Sequence, residues 1–346
     1  MSAFNDYMTQ WQLGWRKSQQ LYPGQKGFWQ GKFYPWILPK EHQWETVYQP
    51  IRTPLQEYLK LKQVSHHTGI HNLKSSWVQC VNTYFLFGLS PEGKALLALF
   101  LDKQVKRLSS ALSVSAVEDL ELEYAETGPL SPEELLGEYE GSRGKNQTSP
   151  DIGVIARDSA NRPILFLIEN KLTEHSFYEC SAWKHKGSRK RKGNSDSSRC
   201  QNMELIKGDI RQYCQQDAWG RKYWSILHSH RSMKSFSKLS SCPAMRAGYQ
   251  LFRQHALAEG IAQSGKYHQV YSCIALDDRN DTLIHSMRST DIEDVRHDWS
   301  TLWTGKTRFF TFSHQDWVGW VKQQKQREWD NWIEYVVARY NWEEQP

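Results

Sequence analysis

Three charged side chains stand at the ends of two apolar stretches. "ILFLIENKLTE", residues 164–174, has five apolar residues in a row, followed by Glu169 and Lys171 around a single Asn170. Asp151 opens the second stretch, "DIGVIAR", residues 151–157. The linker "DSANR", residues 158–162, is polar and turn-like. A symmetric hairpin centred on Ala160 sets Asp151 across from Glu169. Lys171, two residues further on, shares their face. Opposed carboxylates repel unless something positive lies between them. A hard divalent ion such as Mg²⁺ accepts such oxygens together with water and phosphate oxygens. It lowers the pKa of an attacking water, and a lysine adds a point charge beside the phosphate. This chemistry suits hydrolysis of a phosphodiester. Taken singly, each residue also reads as an ordinary solvated strand end. Their common register is the argument against that reading.

The elements that position these residues follow from pattern. Residues 151–157 and 163–171 read as strands, and the acidic–apolar alternation over 119–127 predicts a half-buried third. Residues 268–276 predict a fourth. Residues 73–89 and 91–108 read as helices, with Pro91 in the first turn of the second. A third helix is predicted over 243–265, starting at a proline and stopping at a glycine. Residues 1–62 read as irregular and aromatic-packed, and the Trp-rich tail as helical segments. The expected division is an N-terminal extension at 1–62, a core at 63–285 with an insertion at 173–242, and a C-terminal extension at 286–346.

Pro150-Asp151 followed by Glu169-Asn170-Lys171, with the two acids 18 positions apart, resembles the PD-(D/E)XK nuclease superfamily. The surrounding "GKNQTSPDIGVI", "IENKLTE", "SSWVQCVN" and "YQLFRQHALAEG" resemble a restriction-endonuclease-like bacterial family within it. The resemblance spans residues 75–276. It implies an α/β fold, a restriction-endonuclease-like core whose mixed central sheet is flanked by helices, with a polar insertion and Trp-rich extensions at both ends. It implies Mg²⁺- or Mn²⁺-dependent cleavage of nucleic acid, usually DNA, with Asp151 and Glu169 on the metal and Lys171 assisting. Members of the superfamily often recruit a Gln or a basic residue from a downstream helix, here Gln250 or Arg253. Some add an upstream acid, here Glu138 or Glu140.

Four of the six cysteines, Cys180, Cys200, Cys214 and Cys242, lie in polar surroundings within the insertion. Their spacing contains no C-x-x-C pair, which favours unrelated thiols. The alternative is a Cys₄ site for zinc or an iron–sulfur cluster. Cys80 and Cys273 lie in apolar contexts and read as core. Between Cys180 and Cys200 runs "KHKGSRKRKG", with Lys184, Lys186, Arg189, Lys190, Arg191 and Lys192 and no acid. Such a run is either a solvated loop or a phosphate-backbone contact.

Bulk composition narrows the classes. The chain has 346 residues, a net charge of +6, 24% charged residues and 16 Trp. These values fit a globular protein with a mild basic excess. "MSAFNDYMTQ" carries no signal pattern, and the longest apolar run, "ALLALFL", falls far short of the ~20 residues of a membrane helix. The expectation is a cytoplasmic protein with no membrane contact and nucleic acid, most simply DNA, as its partner; no protein partner is indicated. The alternative function is a non-catalytic nucleic-acid-binding protein with a structural metal or iron–sulfur site.

Overall fold

The computed structural model describes residues 2–65 and 67–342. Its centre is a five-stranded sheet of β1 (Ala116–Leu122), β2 (Ile152–Arg157), β3 (Pro163–Lys171), β4 (Gln269–Leu276) and β5 (Arg308–Ser313), in that spatial order. β1, β2 and β3 are antiparallel neighbours, whereas β3–β4 and β4–β5 pair in parallel. The sheet is therefore mixed. β3 is buried on both faces, which is why it reads as a continuous apolar run rather than an alternation. Ile164, Phe166 and Ile168 join one core, and Leu165 and Leu167 join the other.

The first core is roofed by α2 (Ser76–Gly88) and α3 (Pro91–Leu108). Ser75 and Ser90 cap their N-termini by accepting from Val78 N and Gly93 N. α2 carries one widened π turn, Val81–Phe85. The Asn82 and Thr83 carbonyls in this turn receive indole N–H groups of Trp332 and Trp317 at 2.8 and 3.3 Å. Two tryptophans of the tail thus take up carbonyls of the widened turn. The second core is closed by α4 (Tyr249–Ser264) and by apolar side chains from the insertion, among them Trp183, Ile206, Trp224 and Phe236. No single helix among the described residues is long and apolar enough to cross a membrane.

Several elements differ from the sequence expectation. Residues 3–18 form a helix, α1 (Ala3–Ser18), whose buried Met8, Gln12 and Trp15 make an i, i+4, i+7 stripe. Interspersed Gln and Thr hide that stripe in the sequence. α4 begins at Tyr249, not at Pro243, because the preceding residues pair with the insertion instead. The amides of Phe177 and Cys180 donate to the Ala247 and Met245 carbonyls. β5 comes from the region read as helical. β1 ends at Leu122, because Glu123 adopts a left-handed backbone, φ 49°.

The two chain ends meet. α5 (His314–Gln323) and α6 (Asp330–Tyr340) follow β5, and Gln12 on α1 donates to the Arg339 carbonyl of α6 at 2.7 Å. At the end of β4, buried Asp277 ties this assembly to the sheet. It accepts from Arg279 at 2.6 Å, Trp342 at 2.9 Å and Gln315 at 2.8 Å. Arg279 in turn reaches the Tyr340 and Asn341 carbonyls. Burial alone would raise the Asp277 pKa, yet these donors hold it below the usual carboxylate value. A depressed folded pKa stabilises the fold above the unfolded value near ~3.9 and loses that effect as pH falls below it. Asp277→Asn is expected to cost about 3 kcal/mol at neutral pH, the scale of breaking a buried pair. Chemical denaturation at pH 7 and pH 3 checks this: the gap between wild type and variant should shrink on acidification.

Candidate active site

The β2–β3 hairpin turns about Ala160, and its register runs from Arg157↔Pro163 to Ile152↔Ile168. One further step brings Asp151 level with Glu169. The Asp158 carboxylate fixes the turn by accepting from the amides of Ala160 and Arg162 at 2.9 and 2.8 Å. Beyond the last pair, Asp151 Oδ2 accepts the Asn170 amide at 2.7 Å. Glu169 and Lys171 share a face, and Lys171 Nζ lies 2.7 Å from Glu169 Oε1. Asn170 turns to the other side, where its amide donates to Gln79 Oε1 at 2.7 Å and to the Ser76 carbonyl at 2.9 Å. The "SSWVQ" turn of α2 thus braces the central residue of E-N-K. The Lys171 carbonyl is held by His314 Nε2 at 3.0 Å.

These groups open into a cleft of about 210 Å³. A third carboxylate lines it, Glu123, which the left-handed kink at the end of β1 turns out of the strand. The crowding shifts the pKa values of the groups that share it. Burial first, then Glu169 and Glu123, push the Asp151 pKa well above the usual carboxylate range, against Lys171 and the Asn170 amide. Burial and Glu169 push Glu123 up to about 8, against Trp77, Arg143 and Lys171. Burial alone would lower the pKa of Lys171, but Glu169, Glu174 and Asp151 hold it above its usual value. The site is short of positive charge, and Lys171 is a fixed cation.

The donor set is hard oxygen. Among the described residues, Asp151 and Glu169 each engage one oxygen with the protein and retain the other, and Glu123 adds a carboxylate. Gln250 also lines the cleft, and its Oε1 is buried without a hydrogen-bond partner. Such oxygens suit a small divalent cation. Among the described residues, no three His, Cys, Asp or Glu side chains yet close on one point as a finished metal shell.

The other residues singled out by sequence divide between the cleft and its surroundings. Arg253 lines the cleft beside Gln250. Its Nε donates to Thr148 Oγ1 at 3.0 Å and lies 3.5 Å from Glu138 Oε1. Glu138 is not in the cleft: it is buried behind it, accepting from Thr148 and from the Tyr223 hydroxyl. Glu140 is a surface partner of Arg191 at 3.0 Å. Glu123 is therefore the upstream carboxylate beside Asp151 and Glu169. Sequence reading passed over it because it looks like one more outward acid of an alternating strand. Glu174 and Tyr178 also line the cleft, and the Tyr178 ring lies 5.6 Å from Lys171 Nζ. The signal for Glu174 is its place at the end of "IENKLTE".

The basic run lies alongside. Lys190 and Arg191 line a groove of about 510 Å³ that shares Asn146, Gln147 and Arg253 with the cleft. Lys184 stacks on Trp183 at 3.8 Å, and Arg191 on Trp219 at 5.0 Å. The four insertion cysteines line a small cavity of their own. A larger groove of about 860 Å³, lined by residues such as Lys103, Arg279 and Trp320, contains none of the carboxylates at the end of β3.

No curated protein and no solved structure matches the chain. A family model does, over residues 11–341, nearly its whole length and both Trp-rich ends included. With that match, a mixed sheet flanked by helices and acids gathered at a strand end, the chain belongs to the family described as "Restriction Endonuclease associating with ARP".

Proposed function

We propose that this protein is a nuclease of the PD-(D/E)XK type that hydrolyses phosphodiester bonds in DNA with Mg²⁺ or Mn²⁺. The observation that carries the reading is the set at the end of the hairpin, where Asp151 meets the E-N-K segment and a lysine ammonium lies 2.7 Å from Glu169. Asp151 and Glu169 would hold the metal, with Glu123 as a third oxygen ligand. A bound divalent ion supplies a water of lowered pKa and neutralises charge on the phosphate. Lys171, kept protonated by its carboxylate neighbours, holds a positive charge where the phosphorane gains negative charge. Arg253 offers a second cation, and Gln250 Oε1 an acceptor to orient a water. The adjoining groove supports a path for the DNA backbone, with Lys184, Lys186, Arg189, Lys190, Arg191 and Lys192 as phosphate contacts that read no sequence. The family's description supports a restriction role and association with ARP, and we extend both to this chain.

Wild-type protein should nick DNA with Mg²⁺ or Mn²⁺ and not with EDTA. Glu169→Gln should lower the rate by roughly 10²-fold or more, the scale of losing one preorganised charged group, while folding and DNA binding persist. A wild type that binds DNA but never cleaves it under any divalent ion sinks the reading. Glu123→Gln removes one member of a self-repelling set. It should raise the melting temperature of the metal-free protein and weaken divalent-ion binding by roughly 10–100-fold. If calorimetry shows neither change, Glu123 is not a ligand. Neutralising Lys190 and Arg191 should flatten the dependence of log affinity on log salt by about 0.9 for each phosphate they cease to neutralise. An unaltered slope places the DNA elsewhere.

A further inference from the structure

Cys180, Cys200, Cys214 and Cys242 are spread over more than sixty residues, yet all four line one cavity of about 30 Å³ beneath the insertion. Each comes from a different part of the chain. Cys200 lies in the turn Ser197–Gln201, Cys214 separates two one-turn helices, and Cys180 and Cys242 flank the segment that leads into α4. Backbone bonds fix the arrangement: the Cys242 amide donates to the Cys200 carbonyl at 2.8 Å, and the Cys180 amide to the Met245 carbonyl at 3.0 Å. All four are free thiols. They also feel one another. After burial, the causes that push the Cys242 thiol up are Cys200, Cys214 and Cys180, and Cys200 responds to Cys180 and Cys214. Apart from Gln215 and Gln216, the rest of the wall is apolar or aromatic, including Trp183, Trp224 and Phe252.

Ordinary core packing does not account for this. Interiors close around small side chains, and a void among four of them is a packing defect. The insertion is also built of helices of four or five residues, too short to hold themselves. A shared ligand explains both the void and the order. The geometry selects among thiolate ligands. A tetrahedral zinc ion draws its sulfurs to about 2.3 Å from one point. Here the four thiols share the wall of one void, and no three of them close on one point as the shell of a single ion does. Thiolates around an iron–sulfur cluster stand further apart, because the cluster itself fills the centre.

We propose that these four cysteines ligate an iron–sulfur cluster that staples the insertion to the nuclease core. On ligation four Fe–S bonds form and four thiol protons pass to solvent. No electron transfer is required of it. The cluster would anchor both ends of the loop carrying Lys184 to Lys192, which lies between Cys180 and Cys200. It would also steady the cleft, since the Tyr249 and Gln250 amides donate to the Tyr178 and Phe177 carbonyls.

The test is metal and sulfide analysis of the full chain, expressed with added iron and purified without oxygen. It needs no cleavage assay and is independent of the nuclease reading. The expected result is a coloured protein with iron and acid-labile sulfide in equal amounts. Cys200→Ser and Cys242→Ser should lose colour, iron and sulfide, whereas Cys80→Ala should keep them. Protease should then cut the insertion of the depleted protein at least about tenfold faster. A colourless wild type holding one zinc, or no metal at all, overturns the proposal. Because that result is read on wild-type protein, it holds even if a variant fails to fold.

Discussion

Three carboxylates and one ammonium meet where β3 leaves the core, largely screened from bulk water. Charges this close interact far more strongly than they would in solvent. Lys171 offsets only part of the repulsion among Asp151, Glu169 and Glu123, as the raised pKa values of Asp151 and Glu123 record. The fold must therefore hold apart and in place groups that would otherwise separate or take up protons. Much of what surrounds the sheet end serves that restraint. Asn170 is tied to α2, the Lys171 carbonyl to His314, and Glu123 to its kink by its backbone N–H, which donates to the Asp151 carbonyl.

The tryptophans of the tail belong to the same restraint. Trp317, Trp329 and Trp332 enclose Phe87 with ring centroids 4.6–4.7 Å away. The indoles of Trp317 and Trp332 and the Tyr340 hydroxyl hold the π turn of α2, the helix that braces Asn170. The aromatic side chains of the tail serve largely to fix one helix.

The hairpin and its acids were legible because a short polar linker and a period of two leave few possible registers. Asp151, Glu169 and Lys171 could be placed on one face from residue numbers alone. Glu123 was not legible: its position depends on one residue with positive φ, which alternation does not record. Glu138 and Glu140 looked equally able to reach the site, and only the path of the chain sends one behind Arg253 and the other to the surface. α4 was extended too far because Pro243 resembles a helix start, whereas its successors are claimed by distant backbone partners. The cysteines carry no sequence signal of proximity, because their meeting depends on how five short helices fold back.

The contact between α1 and α6 joins residues as much as 327 positions apart. Contacts this non-local slow folding, because a long loop must close before they form. A growing chain has neither Trp332 nor Tyr340 to hold Asn82 until synthesis has run some 250 residues past it. The brace on Asn170, and with it the charged end of β3, is completed only then. A chain that stops short of those residues presents its acids without the frame that aligns them.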